Sequence, residues 1–576
     1  MTSRHSRYGG TPAAPATGDR WSATRLNSPN PLWGSNGVAF GPDGRLYIAQ
    51  FLAGRISAVD PADGDLEVVV PMDGPVRSPD DLAFGADGSM YIADLVPGKV
   101  WRRDPRGVYS VVSDEVRVPN GITCVGDRLF VNEMRPGGRL LELFPDGGEP
   151  VVLTEGLALG NAMQRGPDGY LYYPHMVTGQ VWRIPPDGGT PELVAEDVHE
   201  PVAVRFDQGG VLHVLSRGVA GLVTRIDLHG TGSRSLVTSG ITGLDNAAFD
   251  AENRMFVSSY ASGGINELRP DGSTRTLVPR GLTGPFGVTV DLKGTVYAAD
   301  HYRLSRPAPD APAGVATDAL MPFAHGIAAD STGLLHLTSQ YGDVRTHDPA
   351  AGTTRTRASG LSRPTGIDIA PDGTLVVAET DAGRLLAIDG DDTVTVLADG
   401  LTRPVDVTHD TEGHCYVSDA SLGAVLRVEP ADGGAGEDSG QGRTARVTVL
   451  ADGLDAPHGV AVHGTELFTV ESGAGRLCAV SLTTGRCRTE AEGLATGAPP
   501  GTAVRPEPAL FTHGMPGLPR PFAGLAAAPD GSLLVSADGE GTVLRLTPAA
   551  PHPDAAQEPH TPRGPRDPHD PEEQTP

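Results

Sequence analysis

Asparagine and aspartate recur at one position of a repeated pattern in the first half of the chain. Each stands just before a short apolar run, at spacings of 40 to 44 residues with one double step, and the set is Asn36, Asp80, Asn120, Asn161 and Asp245. Carboxylate and amide oxygens are the ligands that hard cations such as Ca²⁺ and Mg²⁺ prefer. An Asx turn explains any one of these residues alone, but five in register predict a divalent-cation site.

Histidine takes the same position in the second half of the chain. The segments AHGIAAD and PHGVAVHG place His325 and His458 there, beside Phe, Thr, Val and Ala in the other units. Histidine is suited to proton transfer near neutral pH. The two histidines are therefore candidate catalytic residues, although a His-Gly pair also occurs in blades that carry no chemistry.

Both sets belong to one repeated unit of four short strands. SNGVAFGPDGRLYIAQFLAGRISAVDP is followed by SPDDLAFGADGSMYIADLVPGKVWRRDP, and twelve units can be traced, most of them 39 to 44 residues apart. Two longer steps contain the stretch PADGGAGEDSGQGRTAR and the segment from 495 to 520, which we interpret as surface insertions. Strand alternation, PDG turns and a period near 40 residues are typical of a propeller blade rather than of a helical repeat.

Because propellers typically close with four to eight blades, twelve units must form more than one ring. The change in the recurring position after unit six favours two tandem six-bladed propellers in an all-β protein, and five plus seven blades is the alternative. We expect a disordered tail at 1–19, a first propeller at 20–280, a second at 281–548 and a disordered tail at 549–576. Residues 20–27 could close a blade as an outer strand, and the sequence leaves open in which ring.

Composition limits the kinds of partner that the protein could bind. The formal net charge is −27, which argues against a nucleic-acid partner because counterion release needs clustered Lys and Arg. The chain has no signal-like segment and no run of about 18 apolar residues, so we expect a soluble cytoplasmic protein without a membrane partner. Its four cysteines form no CxxC pair, and the oligomeric state stays open.

The first half resembles the senescence-marker-protein-30/gluconolactonase group of NHL-type six-bladed propellers, which also includes the LRE-like proteins. The resemblance is most specific in VPNGITC around Asn120 and GLDNAAFD around Asp245. It implies that Asn120 and Asp245 are metal ligands, with Asn36 and Asn161 in comparable positions. The family's Glu of the first blade is absent from GSNGVAF, and Asn246 replaces the usual Gly, which puts lactonase activity in doubt.

The segment PHGVAVHGTELFTVESGAGRL resembles a blade of streptogramin (virginiamycin B) lyase. In that family a His and a Glu at the end of the following strand act with magnesium, which implies roles for His458 and Glu471. The equivalent strand ends in the other units define a second layer of rim residues, which includes Asp94, Glu133 and His175. These three could complete a metal shell or serve as a general base, or they could be solvated loop residues.

Three functions follow as hypotheses. The leading one is a divalent-metal-dependent hydrolase that acts on a small-molecule lactone or ester, with Ca²⁺ or Mg²⁺ as cofactor. In it a rim carboxylate, Asp80, or a rim histidine activates water. The rival is a metal-assisted lyase or cyclase of secondary metabolism that uses His325, His458 and Glu471. The third is a non-catalytic binding scaffold, since a fold does not define a function.

Overall fold

A computed structural model describes residues 7, 13–228, 230–308, 311, 314–429, 445–497 and 520–549. In these ranges the regular structure is β-strand, apart from two single-turn 3₁₀ helices at Phe51–Ala53 and Thr380–Ala382. The prediction of an all-β protein of antiparallel four-stranded units is confirmed. No helix in the described ranges is long and apolar enough to cross a bilayer.

Two short strands, β1 (Ala16–Thr17) and β2 (Trp21–Arg25), precede six sheets that we call blades 1 to 6. Each of these sheets has four antiparallel strands in chain order. Their strands are β3 (Val38–Phe40), β4 (Leu46–Gln50), β5 (Arg55–Val59), β6 (Leu66–Val70), β7 (Pro79–Phe84), β8 (Met90–Asp94), β9 (Lys99–Arg103), β10 (Tyr109–Ser113), β11 (Pro119–Val125), β12 (Arg128–Glu133), β13 (Pro136–Leu143), β14 (Val151–Ala158), β15 (Gln164–Arg165), β16 (Leu171–His175), β17 (Gln180–Ile184), β18 (Glu192–Ala195), β19 (Pro201–Phe206), β20 (Leu212–Ser216), β21 (Leu222–Ile226), β22 (Arg234–Thr238), β23 (Leu244–Phe249), β24 (Met255–Ser259), β25 (Ile265–Leu268) and β26 (Thr274–Val278).

Blades 7 to 12 follow the same plan with two variations. Blades 7 and 8 share one six-stranded sheet, because β28 and β29 each run on through more than one strand of the repeat, and blades 11 and 12 each gain an N-terminal strand. Their strands are β27 (Val288–Val290), β28 (Val296–Pro307), β29 (Val315–Ala329), β30 (Leu335–Ser339), β31 (Asp343–Asp348), β32 (Thr353–Ala358), β33 (Pro364–Ile369), β34 (Leu375–Glu379), β35 (Arg384–Ile388), β36 (Val394–Ala398), β37 (Pro404–His409), β38 (Cys415–Asp419), β39 (Ala424–Glu429), β40 (Arg446–Ala451), β41 (Pro457–His463), β42 (Glu466–Glu471), β43 (Arg476–Ser481), β44 (Cys487–Glu492), β45 (Leu525–Ala527), β46 (Leu533–Ala537) and β47 (Thr542–Pro548).

The innermost strands contact one another in two closed circuits, which we call the first and second rings. The first runs through β3, β7, β11, β15, β19 and β23 and returns to β3; the second runs through β27, β29, β33, β37, β41 and β45 and returns to β27. One apolar cluster spans each closure: Ile48 and Phe256 belong to the cluster of the first ring, and Val288 and Leu534 to that of the second. The last strand of blade 6 ends at Val278, and the first strand of blade 7 begins at Val288.

Strand β2 settles which ring the N-terminus closes. It pairs with β47 in antiparallel register, from Trp21 opposite Pro548 to Arg25 opposite Leu544. The Trp21 side chain is buried, and its indole N–H donates to Glu490 at 2.7 Å. Residues 21–25 therefore belong to the second ring, and the predicted 20–280 domain began too early.

Parts of the predicted N-terminal tail are ordered. Strand β1 adds a fifth strand to blade 11 by pairing with β44. The buried Arg7 guanidinium donates to main-chain carbonyls of Asn30, Leu282 and Asp538, which lie in three separate parts of the chain. Burial of this side chain corrects the expectation of a wholly disordered 1–19. The two predicted insertions lie largely outside the described residues, as does the predicted C-terminal tail apart from residue 549.

Candidate functional site

The five Asn and Asp side chains of the recurring position come together at one end of the first ring. They line a single cavity of about 260 Å³, and they are Asn36, Asp80, Asn120, Asn161 and Asp245. Each stands at or just before the innermost strand of its own blade, so blades 1, 2, 3, 4 and 6 each contribute one. The sequence pattern therefore located a physical cluster.

The local backbone conformation directs these side chains into the cavity. Two residues before the recurring position, Gly34, Val118, Leu159 and Gly243 all have φ between 53° and 75°. This left-handed conformation is uncommon for residues other than glycine and turns the chain sharply. The glycine after Asn120 is also required, since a Cβ on Gly121 would lie 2.2 Å from a main-chain oxygen of the next blade.

Hydrogen bonding leaves one amide oxygen of the cluster free. Asn120 donates from Nδ2 to Met134 Sδ at 2.9 Å, while its buried Oδ1 has no hydrogen-bond partner among the described residues. Asn161 Oδ1 accepts the Ala162 N–H at 2.7 Å, and Asn36 Nδ2 donates to Asp80 Oδ1 at 3.4 Å. An orphaned buried acceptor is costly and calls for a donor or a cation.

The two carboxyl groups of the cavity are hard to ionise together. Burial raises the pKa of Asp80 to about 7, helped by the charge of Asp81 and opposed by a hydrogen bond from Asn120. Burial also raises the pKa of Asp245 well above its usual value, and the charges of Asp80 and Asp81 add to this effect. Arg217 also lines the cavity, and its charge partly offsets the rise in the pKa of Asp245; a further positive charge would favour both carboxylates.

A buried ion network beneath the cavity was not predicted. Asp81 Oδ1 accepts from Asn246 Nδ2 at 3.1 Å, and Asn246 Oδ1 accepts from the buried Arg205 guanidinium. Arg205 also donates to the carbonyls of Ala247 and Met163 at 2.7 and 3.1 Å. Burial raises the pKa of Asp81 to about 6, against the opposing charge of Arg205. The departure at Asn246, where the resembling family has Gly, was the available signal.

The donor set fits a hard cation better than a transition metal. Within the described ranges, no group of three or more His, Cys, Asp or Glu side chains could hold a metal ion. The cavity instead offers two carboxylates, the orphaned Asn120 oxygen and two further amides. Oxygen donors of this kind suit Ca²⁺ or Mg²⁺, which complete their coordination with water.

The acidic residues of the second layer brace the blades. At the end of the second strand, their carboxylates accept main-chain N–H groups from the segment that leads into the first strand of the same blade. The residues are Asp94, Glu133, Asp300, Glu379, Asp419 and Glu471. Neither Asp94 nor Glu133 lines the cavity, so neither completes a metal shell there.

Glu471 is one of these braces, and its oxygens are fully engaged. Oε1 accepts the Asp455 N–H at 2.9 Å and pairs with Arg476 at 3.0 Å, and Oε2 accepts from Cys478 Sγ at 2.7 Å. Burial opposes ionisation, but these hydrogen bonds and the Arg476 charge lower the pKa overall. In the structure Glu471 therefore braces its own blade, and its catalytic role stays a prediction.

His325 and His458 lie in an aromatic stack at the mouth of the second ring. They flank Phe522, with ring centroids 5.1 and 6.1 Å away, and Phe286 stacks on His325 at 5.0 Å. Burial lowers the pKa of His325 to about 4 and that of His458 to about 3.

The stacked histidines are also hydrogen-bonded. His458 Nδ1 accepts the Ala523 N–H at 3.4 Å, and its Nε2 contacts the Ser472 hydroxyl at 3.2 Å. His325 Nε2 contacts the Arg520 carbonyl at 3.2 Å. Neutral, packed imidazoles of this kind fill the mouth and seal it with aromatic rings.

Comparison with known proteins yields structural neighbours only. No family model matches the chain, and no curated protein matches it. A streptogramin B lyase structure is 17% identical over 49% of this chain and 95% of its own, with a TM-score of 0.36. A gluconolactonase from Xanthomonas campestris is 17% identical over 43% of this chain and 93% of its own, with a TM-score of 0.35. The extracellular domain of a hybrid two-component system from B. thetaiotaomicron is 10% identical over 92% of this chain and 83% of its own, with a TM-score of 0.30.

Proposed function

We propose that the cavity of the first ring binds one divalent cation, Ca²⁺ or Mg²⁺, and hydrolyses a small lactone or ester. The observation that carries this proposal is the meeting of five oxygen-bearing side chains from five blades in one cavity, one of them with an unpartnered oxygen. The second ring offers packed neutral histidines and a salt-bridged Glu471 instead, which favours the first ring over the lyase hypothesis.

Asp245 and Asn120 would hold the cation, with Asn36 and Asn161 beside them. Asp245 supplies a carboxylate whose ionisation the cation favours, and Asn120 supplies the orphaned Oδ1. The oxygens of Asn36 and Asn161 already accept main-chain N–H groups, but an amide oxygen has a second lone pair. A bound divalent cation would polarise the carbonyl of the ester.

Asp80 would act as general base. A carboxyl with a pKa near 7 is matched to proton transfer at neutral pH. Asp80 takes a proton from the water that attacks the carbonyl carbon, and it returns the proton to the alkoxide oxygen when the ring C–O bond breaks. The product is a hydroxy acid, and one oxygen of its carboxylate comes from water.

Cation binding is the first test. Protein dialysed against EDTA is titrated with Ca²⁺ and Mg²⁺ by calorimetry, and with Tb³⁺ excited through tyrosine, since Tyr260 and Tyr302 line the cavity. We expect one site, loss of binding in Asp245→Ala, and unchanged binding in His458→Ala. Unchanged binding in Asp245→Ala would refute the assignment.

Turnover is the second test. The protein loaded with Ca²⁺ or Mg²⁺ is assayed against a lactone panel by titration of released acid, and the products are analysed after reaction in H₂¹⁸O. We expect one ¹⁸O atom in the product and a large loss of kcat in Asp80→Asn. A product without ¹⁸O would favour a lyase or cyclase, and a bound cation without turnover would favour a binding scaffold.

A further inference from the structure

The second ring supplies one wall of the first ring's cavity. Four residues of β28 and β29 line it opposite the Asn and Asp cluster, namely Tyr302, Leu320, Pro322 and Phe323. The contact between the rings is aromatic, since Tyr302 meets Tyr260 of blade 6 edge to face with ring centroids 4.9 Å apart. The cavity is therefore built by both rings.

A shortened turn in blade 7 brings Tyr302 to this place. In blade 9 four residues separate the bracing acid Glu379 from its partner Arg384, whereas in blade 7 only His301 and Tyr302 separate Asp300 from Arg303. His301 has φ 49°, a left-handed value that is uncommon for residues other than glycine. The turn directs the next side chain out of its own ring.

The wall is apolar where the opposite side of the cavity is polar. Leu320, Pro322 and Phe323 continue an apolar surface that Met134 and Met176 begin on the first ring. Tyr302 also lines the cavity, and it is 8% exposed. The volume of about 260 Å³ lies just below the range of roughly 300–1,000 Å³ for ligand sites, so the cavity suits a small ligand.

From this arrangement we infer that the second ring completes the site and selects the ligand: a small lactone or ester with an aryl or alkyl group that packs on the second-ring wall. This inference rests on the proposed function for its reactive group. Polar hydroxylated lactones would leave their hydroxyl groups against Leu320 and Phe323 without partners, which costs binding energy.

Specificity in the full chain tests the inference. We measure kcat/KM for 3,4-dihydrocoumarin, an aryl lactone, and for glucono-δ-lactone, a hydroxylated one, in the wild type and in Phe323→Ala. The control is Leu292→Ala, at a position of the second ring that is 72% exposed. We expect the wild type to prefer the aryl lactone, and Phe323→Ala to lower kcat/KM about 10- to 100-fold for that substrate alone.

A second variant shows whether an effect of Phe323→Ala comes from misfolding. A binding measurement tests the inference even if the protein hydrolyses no lactone. Leu320→Asn is expected to shift the same ratio in the same direction, with an unchanged Tm for the first ring. Binding of the lactam 3,4-dihydro-2-quinolinone is measured by calorimetry, and Phe323→Ala should weaken it about tenfold or more.

The outcomes separate the two proposals. Turnover with the same loss for both lactones, or with no change of the ratio, overturns the inference alone. Lactam binding that Phe323→Ala weakens, without turnover of any lactone by the wild type, sustains the inference and refutes the hydrolase. Absence of both binding and turnover overturns both.

Discussion

Replacement of Asp80 by Asn should stabilise the cation-free protein at alkaline pH. The carboxyl has an ordinary pKa of 3.8 in the unfolded chain and about 7 in the fold, because of its burial and the neighbouring Asp81. The folded state therefore holds a proton that the unfolded state releases. Its contribution to stability is complete below about pH 4 and is lost as pH rises to about 7.

The magnitude follows from the size of that shift. A shift of about three pH units corresponds to about 4 kcal/mol at 1.36 kcal/mol per unit. Part of this energy is repulsion between the carboxylates of Asp80, Asp81 and Asp245. Because Asp81 and Asp245 ionise more readily once residue 80 is neutral, the expected net gain in stability is about 2 kcal/mol. At roughly 2 °C per kcal/mol, the Tm should rise by about 4 °C at pH 8 and stay unchanged at pH 4.

The assay is thermal unfolding in EDTA, followed by circular dichroism from pH 4 to pH 8. Wild type should gain Tm on addition of Ca²⁺ or Mg²⁺ at pH 8 far more than at pH 5, because cation binding displaces the protons. Asp245→Ala should lose most of this gain, whereas Asp80→Asn should keep it, because Asp245 and Asn120 hold the cation. A variant that lowers Tm equally at pH 4 and pH 8 would show that Asp80 is a structural hydrogen-bonding group, and would refute the reasoning.

Three further outcomes are expected. Glu471→Gln should lower the free energy of unfolding by about 1–3 kcal/mol in denaturant, since the bracing side chain loses its charge. The number of bound cations should stay unchanged. Loss of the cation would show that Glu471 belongs to the cation site. Arg205→Met should cost about 3–5 kcal/mol, because it leaves the Asp81 charge buried and unpaired, and a neutral effect would mean that Asp81 is already protonated. Trp21→Ala should cost about 3–5 kcal/mol by removing a buried aromatic side chain; hydrogen exchange should speed up in β47 first, and uniform exchange would contradict closure by β2.

The repeat made the fold and the cavity cluster predictable. The units mark the turn after the innermost strand with PDG or a related Gly- or Asp-containing sequence, and they mark the strand itself with an apolar run. One register therefore fixes the position of equivalent residues in all units. Because equivalent positions of a ring converge on one rim, Asn120 and Asp245 could be placed together although 125 residues separate them. A sequence repeat predicts which distant residues lie close together only when the fold repeats with the same period.

The sequence does not distinguish acidic residues that brace a blade from acidic residues that could bind a metal. Acids at the end of the second strand occur in both rings, and the pattern suited a metal shell as well as a brace. Glu471 accepts the N–H of a residue 16 positions earlier, and Asp94 and Glu133 do the same at 16 to 17 positions. The regular spacing within one blade was the sign of a structural role, since a site joins different blades.

Contacts between elements far apart in the sequence could not be predicted. Asp81, Asn246 and Arg205 lie in three blades, and they form one hydrogen-bonded network because all three are buried in the channel of the first ring. Tyr302 reaches the first ring because of how the two rings meet and because of a shortened turn, neither of which a pattern within one unit reveals. The pairing of β2 with β47 is likewise a property of closure at the two ends of the chain.

The two rings treat one channel position in opposite ways, which argues that they have different tasks. Asp81 and Asp406 each follow the recurring position by one residue, and each fits beside a glycine of the preceding blade, Gly37 or Gly366, where a Cβ would lie 2.2 to 2.3 Å from the carboxylate. In the first ring Arg205 offsets the Asp81 charge, so negative charge can be kept beneath the cavity. In the second ring burial raises the pKa of Asp406 well above its usual value, and its Oδ2 accepts the Val460 N–H. A channel that carries charge under a polar cavity suits cation-assisted chemistry, whereas a channel whose buried acid resists ionisation under an aromatic stack suits a supporting ring.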